Sequence, residues 1–331
     1  KVVRGFGVIK NNILGIKITL SVILAFYYSV LYHNIDINAV NDLMIYQNYL
    51  GIISFNNFQD LSFEKFTRSY AIGLGWPYDL TLACIKSLGL NIFDLQAILI
   101  ALLFIVVSRN ISRFGSLILL FAIFTAPFVF GNLFLGLQRQ LIALIFIVIM
   151  FNDYKKHKKL RILYSLFLIS ISSLFHIGSF PLSLVSILFL YHKSNSNKNL
   201  NFYLGIFLLL LSALLFTYIF SEPITNKIYY YFTYRDGNSY PYLLSGFFYF
   251  TILPLFFLYI RSNRYKNKMI VSFIFGIYLF VSSLFSFGFL ITIDRIITSG
   301  IVLILKGILE NYKIKNVIII IPFIFLLSFL Y

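Results

Sequence analysis

Residues 133–161, LFLGLQRQLIALIFIVIMFNDYKKHKKLR, decide the fold. Residues 133–151 hold a single charge, Arg139, and Lys155, Lys156, Lys158, Lys159 and Arg161 follow at once. An apolar run of about 20 residues is what a helix needs to cross a bilayer. Lys and Arg crowded at one flank mark the side that stays in the cytoplasm. Comparable apolar spans are read at about 13–32, 92–108, 114–131, 160–175, 177–191, 201–220, 242–260, 269–290, 296–308 and 316–331. The expected fold is an all-α integral membrane protein of about 11 transmembrane helices (10 to 12) with short periplasmic loops. Residues 1–331 form one polytopic domain in this reading.

Composition points the same way. The chain has 331 residues, of which 60% are hydrophobic and only 11% charged. Soluble domains carry roughly a quarter charged residues. So much apolar surface exceeds what a water-soluble fold of this length hides, and it excludes disorder. One cysteine, Cys84, rules out an internal disulfide and a Cys-rich metal site. The chain begins at Lys1, as one with a truncated N-terminus would, and no cleavable signal peptide is recognisable.

The net charge of +16 invites a nucleic-acid reading, but its distribution opposes it. With the N-terminus inside, the inside segments are 1–12, 109–113, 152–159, 192–200, 261–268 and 309–315. With Arg161 and Lys306 at span ends, they hold 19 of the 27 Lys and Arg. Nine of the 11 acids fall outside. This asymmetry reads the basic clusters as topology anchors, and no nucleic-acid partner is expected.

Residues 70–90, YAIGLGWPYDLTLACIKSLGL, are apolar enough to enter the bilayer. A crossing there would invert every later loop, so the segment is read as amphipathic or re-entrant on the outer side. Gly73, Gly75 and Pro77 are expected to interrupt any helix, and Trp76 and Tyr78 suit an interface. The outer elaborations are then about 33–91 and 221–241. In the first, Asp42, Tyr46 and Tyr49 share one helical face, and Phe55, Phe58, Phe63 and Phe66 suggest a surface helix. The second is rich in tyrosine and carries Arg235.

Chemistry is sought where polar groups violate the membrane's preference. Arg139, flanked by Gln138 and Gln140, stands at the outer start of an apolar span. Unless it snorkels to the surface, it needs an anion or water. His176, in SSLFHIGSFPLSL at 172–184, occupies an outer turn on the same side, where a packing role is the bland alternative. Asp294 and Arg295 are adjacent, so they cannot share a helix face. Asp42 with Tyr46 completes the outer set. No carboxylate cluster has metal-ligand spacing, which points to a metal-independent protein without a cofactor.

Three short motifs in order carry a resemblance: Asp42 with Tyr46, then Arg139-Gln140-Leu141-Ile142-Ala143, then Phe175-His176-Ile177-Gly178-Ser179. Over about residues 13–305 the chain resembles the EpsG-like family of Wzy-type polysaccharide polymerases, and Arg295 before a late span suits the family. The resemblance implies a glycosyltransferase in the bacterial inner membrane, with its active site facing the periplasm. Such enzymes polymerise oligosaccharide repeats carried on undecaprenyl pyrophosphate into O-antigen, capsule or exopolysaccharide. It implies Arg139, His176 and Asp42 as catalytic residues. Arg295, Gln140, Tyr46, Arg235 and Asp294 are implied on the substrate. A chain-length regulator (co-polymerase) is a candidate partner. An O-antigen ligase or another lipid-linked-sugar transferase would use the same donor. A polysaccharide flippase or transporter is disfavoured by the uncharged mid-span stretches 141–150 and 206–220.

Overall fold

The computed structural model describes residues 2–34, 41–57, 76–125, 138–157 and 161–176, with isolated helical positions at 302, 306, 309 and 310. All regular structure among the described residues is helical. The elements are α1 (Val2–His33), α2 (Asn41–Ile52), α3 (Trp76–Ser87), α4 (Ile92–Ser108), α5 (Phe114–Thr125), α6 (Gln138–His157) and α7 (Ile162–Phe175).

The arrangement is built on α4, which packs against α1 and α6 and more lightly against α2 and α5. Its start is written locally. The Asn91 side chain accepts from the backbone N–H groups of Phe93 and Asp94, while Asp94 accepts from the Asn91 N–H at 3.0 Å. This reciprocal capping box satisfies donors that have no partner inside the helix. The second Asp94 oxygen accepts from Ser29 at 3.2 Å, and Asn91 Nδ2 lies 3.1 Å from His33 Nε2. The cap therefore also locks the end of α1 to the start of α4.

At the other end of α4 the carbonyls are met from outside. Lys17 on α1 donates to Arg109 O at 2.9 Å, Asn152 on α6 to Val106 O at 2.7 Å, and Lys306 to Val107 O at 3.1 Å. Cations at a helix C-terminus complement the negative end of its dipole. These contacts fix directions. With residue 33 at residue 91 and residue 17 at residue 109, α1 and α4 are antiparallel. The Tyr27 and Tyr28 hydroxyls bond the Thr125 and Phe124 carbonyls, so α5 runs with α1. Gln138 lies at Ile92 and Asn152 at Val106, so α6 runs with α4. α7 returns, with Arg161 on Asp153 at one end and Phe175 beside Arg139 at the other.

The bundle thus has a basic end (Lys17, Lys155, Arg161, Lys306) and an opposite end (His33, Asn91, Gln138, Phe175). Residues 34–90 leave and re-enter at the opposite end, because His33 and Asn91 are in contact there. α2 and α3 lie within this excursion. They touch through Tyr46 edge-on to Tyr78, with ring centroids 5.3 Å apart, and through Lys86 donating to Gly51 O.

The helices match the expected spans at 92–108 and 160–175. Elsewhere the boundaries differ. α1 continues back to Val2, through Gly5 and Gly7, and α6 runs on to His157, where no proline or glycine stops it. Within 70–90 the correction is confined to Pro77: α3 is a regular helix from Trp76, while Gly73 and Gly75 lie outside the described residues. Pro77 sits in its first turn, where a missing N–H costs nothing. The break comes instead at Gly89, whose φ of +72° only glycine adopts without strain. Gly89 N–H bonds Lys86 O at 3.0 Å and Leu90 N–H bonds Ile85 O at 3.1 Å, a Schellman closure. The chain then turns by 112° into α4. Phe55 is exposed, while Phe58, Phe63 and Phe66 lie outside the described residues. So do the spans expected at 177–191, 201–220, 242–260, 269–290 and 316–331, and the outer segment 221–241.

Among the described residues one helix, Ile13–His33, is long and apolar enough to cross a membrane by itself. α3 and α4 pass the same test only as a bent pair, and α5 and α7 are shorter apolar helices.

A built Cβ on Gly89 meets nothing within 4 Å, so Gly89→Ala should cost only its backbone strain, about 1 kcal/mol. Gly51, with equal space inside α2, should be stabilised by alanine by about half that. Thermal melts of the two variants in detergent should shift in opposite directions; a neutral Gly89→Ala would contradict the described turn.

Candidate functional site

The first turn of α6 carries Gln138, Arg139 and Gln140, all buried. Arg139 is only 8% exposed, so its guanidinium lies in the protein and does not extend along the surface. Its Nε donates to Phe175 O on α7 at 2.9 Å, and its Cζ stands 5.8 Å from the centre of the Tyr78 ring on α3. Planar guanidinium groups stack well on aromatic faces while their N–H fork remains directional.

Tyr78 is itself held on two sides. Its hydroxyl donates to Gln138 Oε1 at 2.7 Å, and Gln138 Nε2 donates onward to Ile92 O at 2.9 Å. The edge of Tyr46 closes the ring from α2. Two polar side chains, Gln138 and Arg139, and two tyrosines thus converge where α2, α3, α4, α6 and α7 meet. Asp79 is completely buried in the first turn of α3, beside Tyr78.

The structure brings two of the sequence motifs together. Arg139 is anchored on Phe175, and the next residue, His176, caps α7 with its backbone N–H on Ser172 O. His176 is half-buried at the same end of the bundle. Ser172 in turn donates to Ala143 O, tying α7 to α6 one turn below the site. Gln140 is buried on α6, and Tyr46 joins through Tyr78. Asp42 belongs to the first turn of α2, but its side chain lies outside the described residues, as do Arg235, Asp294 and Arg295.

Sequence reading underrated Tyr78, treated as an interfacial ring, and Gln138, treated as a flank. It passed over Asp79. The signal was present, since Asp79 is the lone acid in the apolar stretch 70–90.

A second charged group lies at the basic end. Glu310 is nearly buried between Lys155, at 2.6 Å, and Lys306. Lys17 and Lys306 donate to helix-terminal carbonyls, so this group joins helices. Among the described residues no three His, Cys, Asp or Glu side chains converge as a metal site would need. Comparison with known proteins finds no matching family model, no similar curated protein and no similar solved structure.

Gln138→Leu should leave the buried Tyr78 hydroxyl without this acceptor and destabilise the protein by about 1–3 kcal/mol. Adding Tyr78→Phe, which removes the stranded hydroxyl, should recover much of that loss. Melting temperatures of the two singles and the double check this. A double variant as unstable as the sum of the singles would contradict the bond.

Proposed function

We propose that this chain is a polytopic inner-membrane glycosyltransferase of the Wzy type. It would polymerise undecaprenyl-pyrophosphate-linked oligosaccharide repeats into surface polysaccharide. The observation that carries the reading is the placement of Arg139. A buried guanidinium, oriented by a carbonyl and a ring, sits within one residue of His176 at the end of the bundle opposite the lysines.

The membrane part of the proposal rests on how α1 distributes its side chains. Leu14, Ile18, Val22, Phe26 and Val30 form an exposed apolar stripe at helical spacing, with Val22 62% and Phe26 72% exposed. The face turned inward carries Lys17, Ser21, Tyr28 and Tyr32, all buried. Polar inside and apolar outside suits hydrocarbon as the solvent. Leu163 and Phe167 repeat the pattern on α7. The basic end is then cytoplasmic by the positive-inside rule, and the Arg139 end faces the periplasm. On this reading residues 34–90 stay on the periplasmic side, and the expected set of about 11 spans is completed by the later apolar segments.

The chemistry follows from the charge. The acceptor sugar hydroxyl of one lipid-linked unit attacks the anomeric carbon of the growing chain. The bond from that carbon to the lipid pyrophosphate breaks, and the electron pair leaves on a phosphate oxygen. Negative charge builds there in the transition state, and a preoriented guanidinium in a low-dielectric site stabilises it. Arg295 is a second cation for the same diphosphate. The hydroxyl proton passes to a base, for which His176 is proposed because its backbone is tied to the Arg139 anchor. A chain-length regulator would act at the same periplasmic face.

Cells lacking the gene should lose the ladder of surface polysaccharide and keep single repeat units. Wild type should restore the ladder. Arg139→Ala, expressed at normal level, should not, and Arg139→Lys should recover only part because it lacks the bidentate fork. Unattached lipid-linked polymer in the deletion would mark a ligase instead. An unchanged ladder in a strain without a second such enzyme would sink the proposal.

Topology is tested through Cys84, the single thiol, which is exposed on α3. A membrane-impermeant maleimide should label it in intact spheroplasts. In a Cys84→Ser background a cysteine at Lys156 should label only after lysis. Labelling of both only after lysis would overturn the outward placement of α3.

A further inference from the structure

Tyr78 touches Arg139, Gln138 and Tyr46 of the α2 excursion together. It reaches α6 from a helix that does not belong to the antiparallel set. The ring contacts the guanidinium at 5.8 Å while the hydroxyl is fixed at 2.7 Å on Gln138, the residue just before Arg139. Gln138 cannot drift, because its amide is bonded to Ile92 O at the first residue of α4. The ring is therefore held between two helices, and Tyr46 of α2 packs edge-to-face with it at 5.3 Å. The guanidinium has its Nε committed to Phe175 O. A planar group held by an N–H bond and a ring contact has its plane constrained by both.

We propose that Tyr78 is a positioning residue for Arg139. Through it α3, packed against α2 and α7, sets the angle at which the guanidinium meets a diphosphate. This rests on the transferase reading for its kinetic consequence, but the coupling of Tyr78 to Arg139 does not. Positioning matters most for charge that develops during reaction, so its loss lowers turnover more than donor binding. Because Tyr78 acts through Arg139, removing it matters little once Arg139 is gone.

The test compares Tyr78→Leu, Tyr78→Trp, Arg139→Ala and the double variant Tyr78→Leu with Arg139→Ala, all as full-length protein in nanodiscs with a synthetic polyprenyl-pyrophosphate oligosaccharide. Tyr78→Leu is expected to lower kcat about tenfold or more, with KM for the donor within about threefold. Tyr78→Trp, which keeps a π face, should restore most of kcat. The double variant should be no slower than Arg139→Ala by more than about twofold. Losses that multiply in full, or equal activity of the Leu and Trp variants, would overturn the proposal. If Arg139→Ala keeps wild-type polymerisation, the transferase reading falls and the decision passes to thermal melts of the same four proteins. Trp76, the single tryptophan, lies two residues from Tyr78 and reports the docking of α3 in the variants that lack a second tryptophan. Melting shifts for Tyr78→Leu and Arg139→Ala that fall short of additivity in the double variant uphold the positioning contact. Strictly additive shifts overturn it.

Discussion

The constraint on which the structure depends is the need to satisfy the ends of α4. A helix leaves four N–H groups and four carbonyls without internal partners, and in a low-dielectric interior each costs several kcal/mol if abandoned. α4 resolves its start with its own sequence, through Asn91 and Asp94. Its end is met partly by the N–H groups that follow it, Arg109 on Val106 O and Ile111 on Ser108 O, and three other segments add donors: Lys17, Asn152 and Lys306. Each donor brings its helix with it. The placement of α1, α6 and Lys306 against α4 therefore shares one cause.

The same logic explains why charge is interior here. Lys17 and Lys306 are buried, and each is met there by a helix-terminal carbonyl, Lys306 by Glu310 as well. Tyr27 and Tyr28 treat the end of α5 in the same way. Large apolar side chains are left to the outside of α1 and α7. At the opposite end the polar interior continues into Gln138, Arg139 and Gln140. There a buried guanidinium bonds the last carbonyl of α7, next in sequence to the half-buried His176.

Much of this was legible in order. The spans at 92–108 and 160–175 stand as helices because uninterrupted apolar runs with a cap at one end have few alternatives. The expectation within 70–90 that failed is Pro77 as a helix breaker. Proline in a first turn is harmless, and the true break is Gly89, which a single glycine in a mixed sequence does not announce. Arg139 and His176 stood out as polar groups in apolar surroundings. Tyr78 did not, since an aromatic ring near Trp and Pro reads equally well as an interface anchor.

By itself the sequence determined the helical class, the basic and opposite ends, and the residues whose polarity demands a reason. These depend on composition, periodicity and charge order, which are local or summed properties. Only the tertiary structure decided which of them meet. Arg139 and Phe175 lie 36 residues apart, and Tyr78 and Gln138 lie 60 apart. No spacing rule joins such pairs, because their contact follows from the packing of α3, α6 and α7 around the two ends of α4.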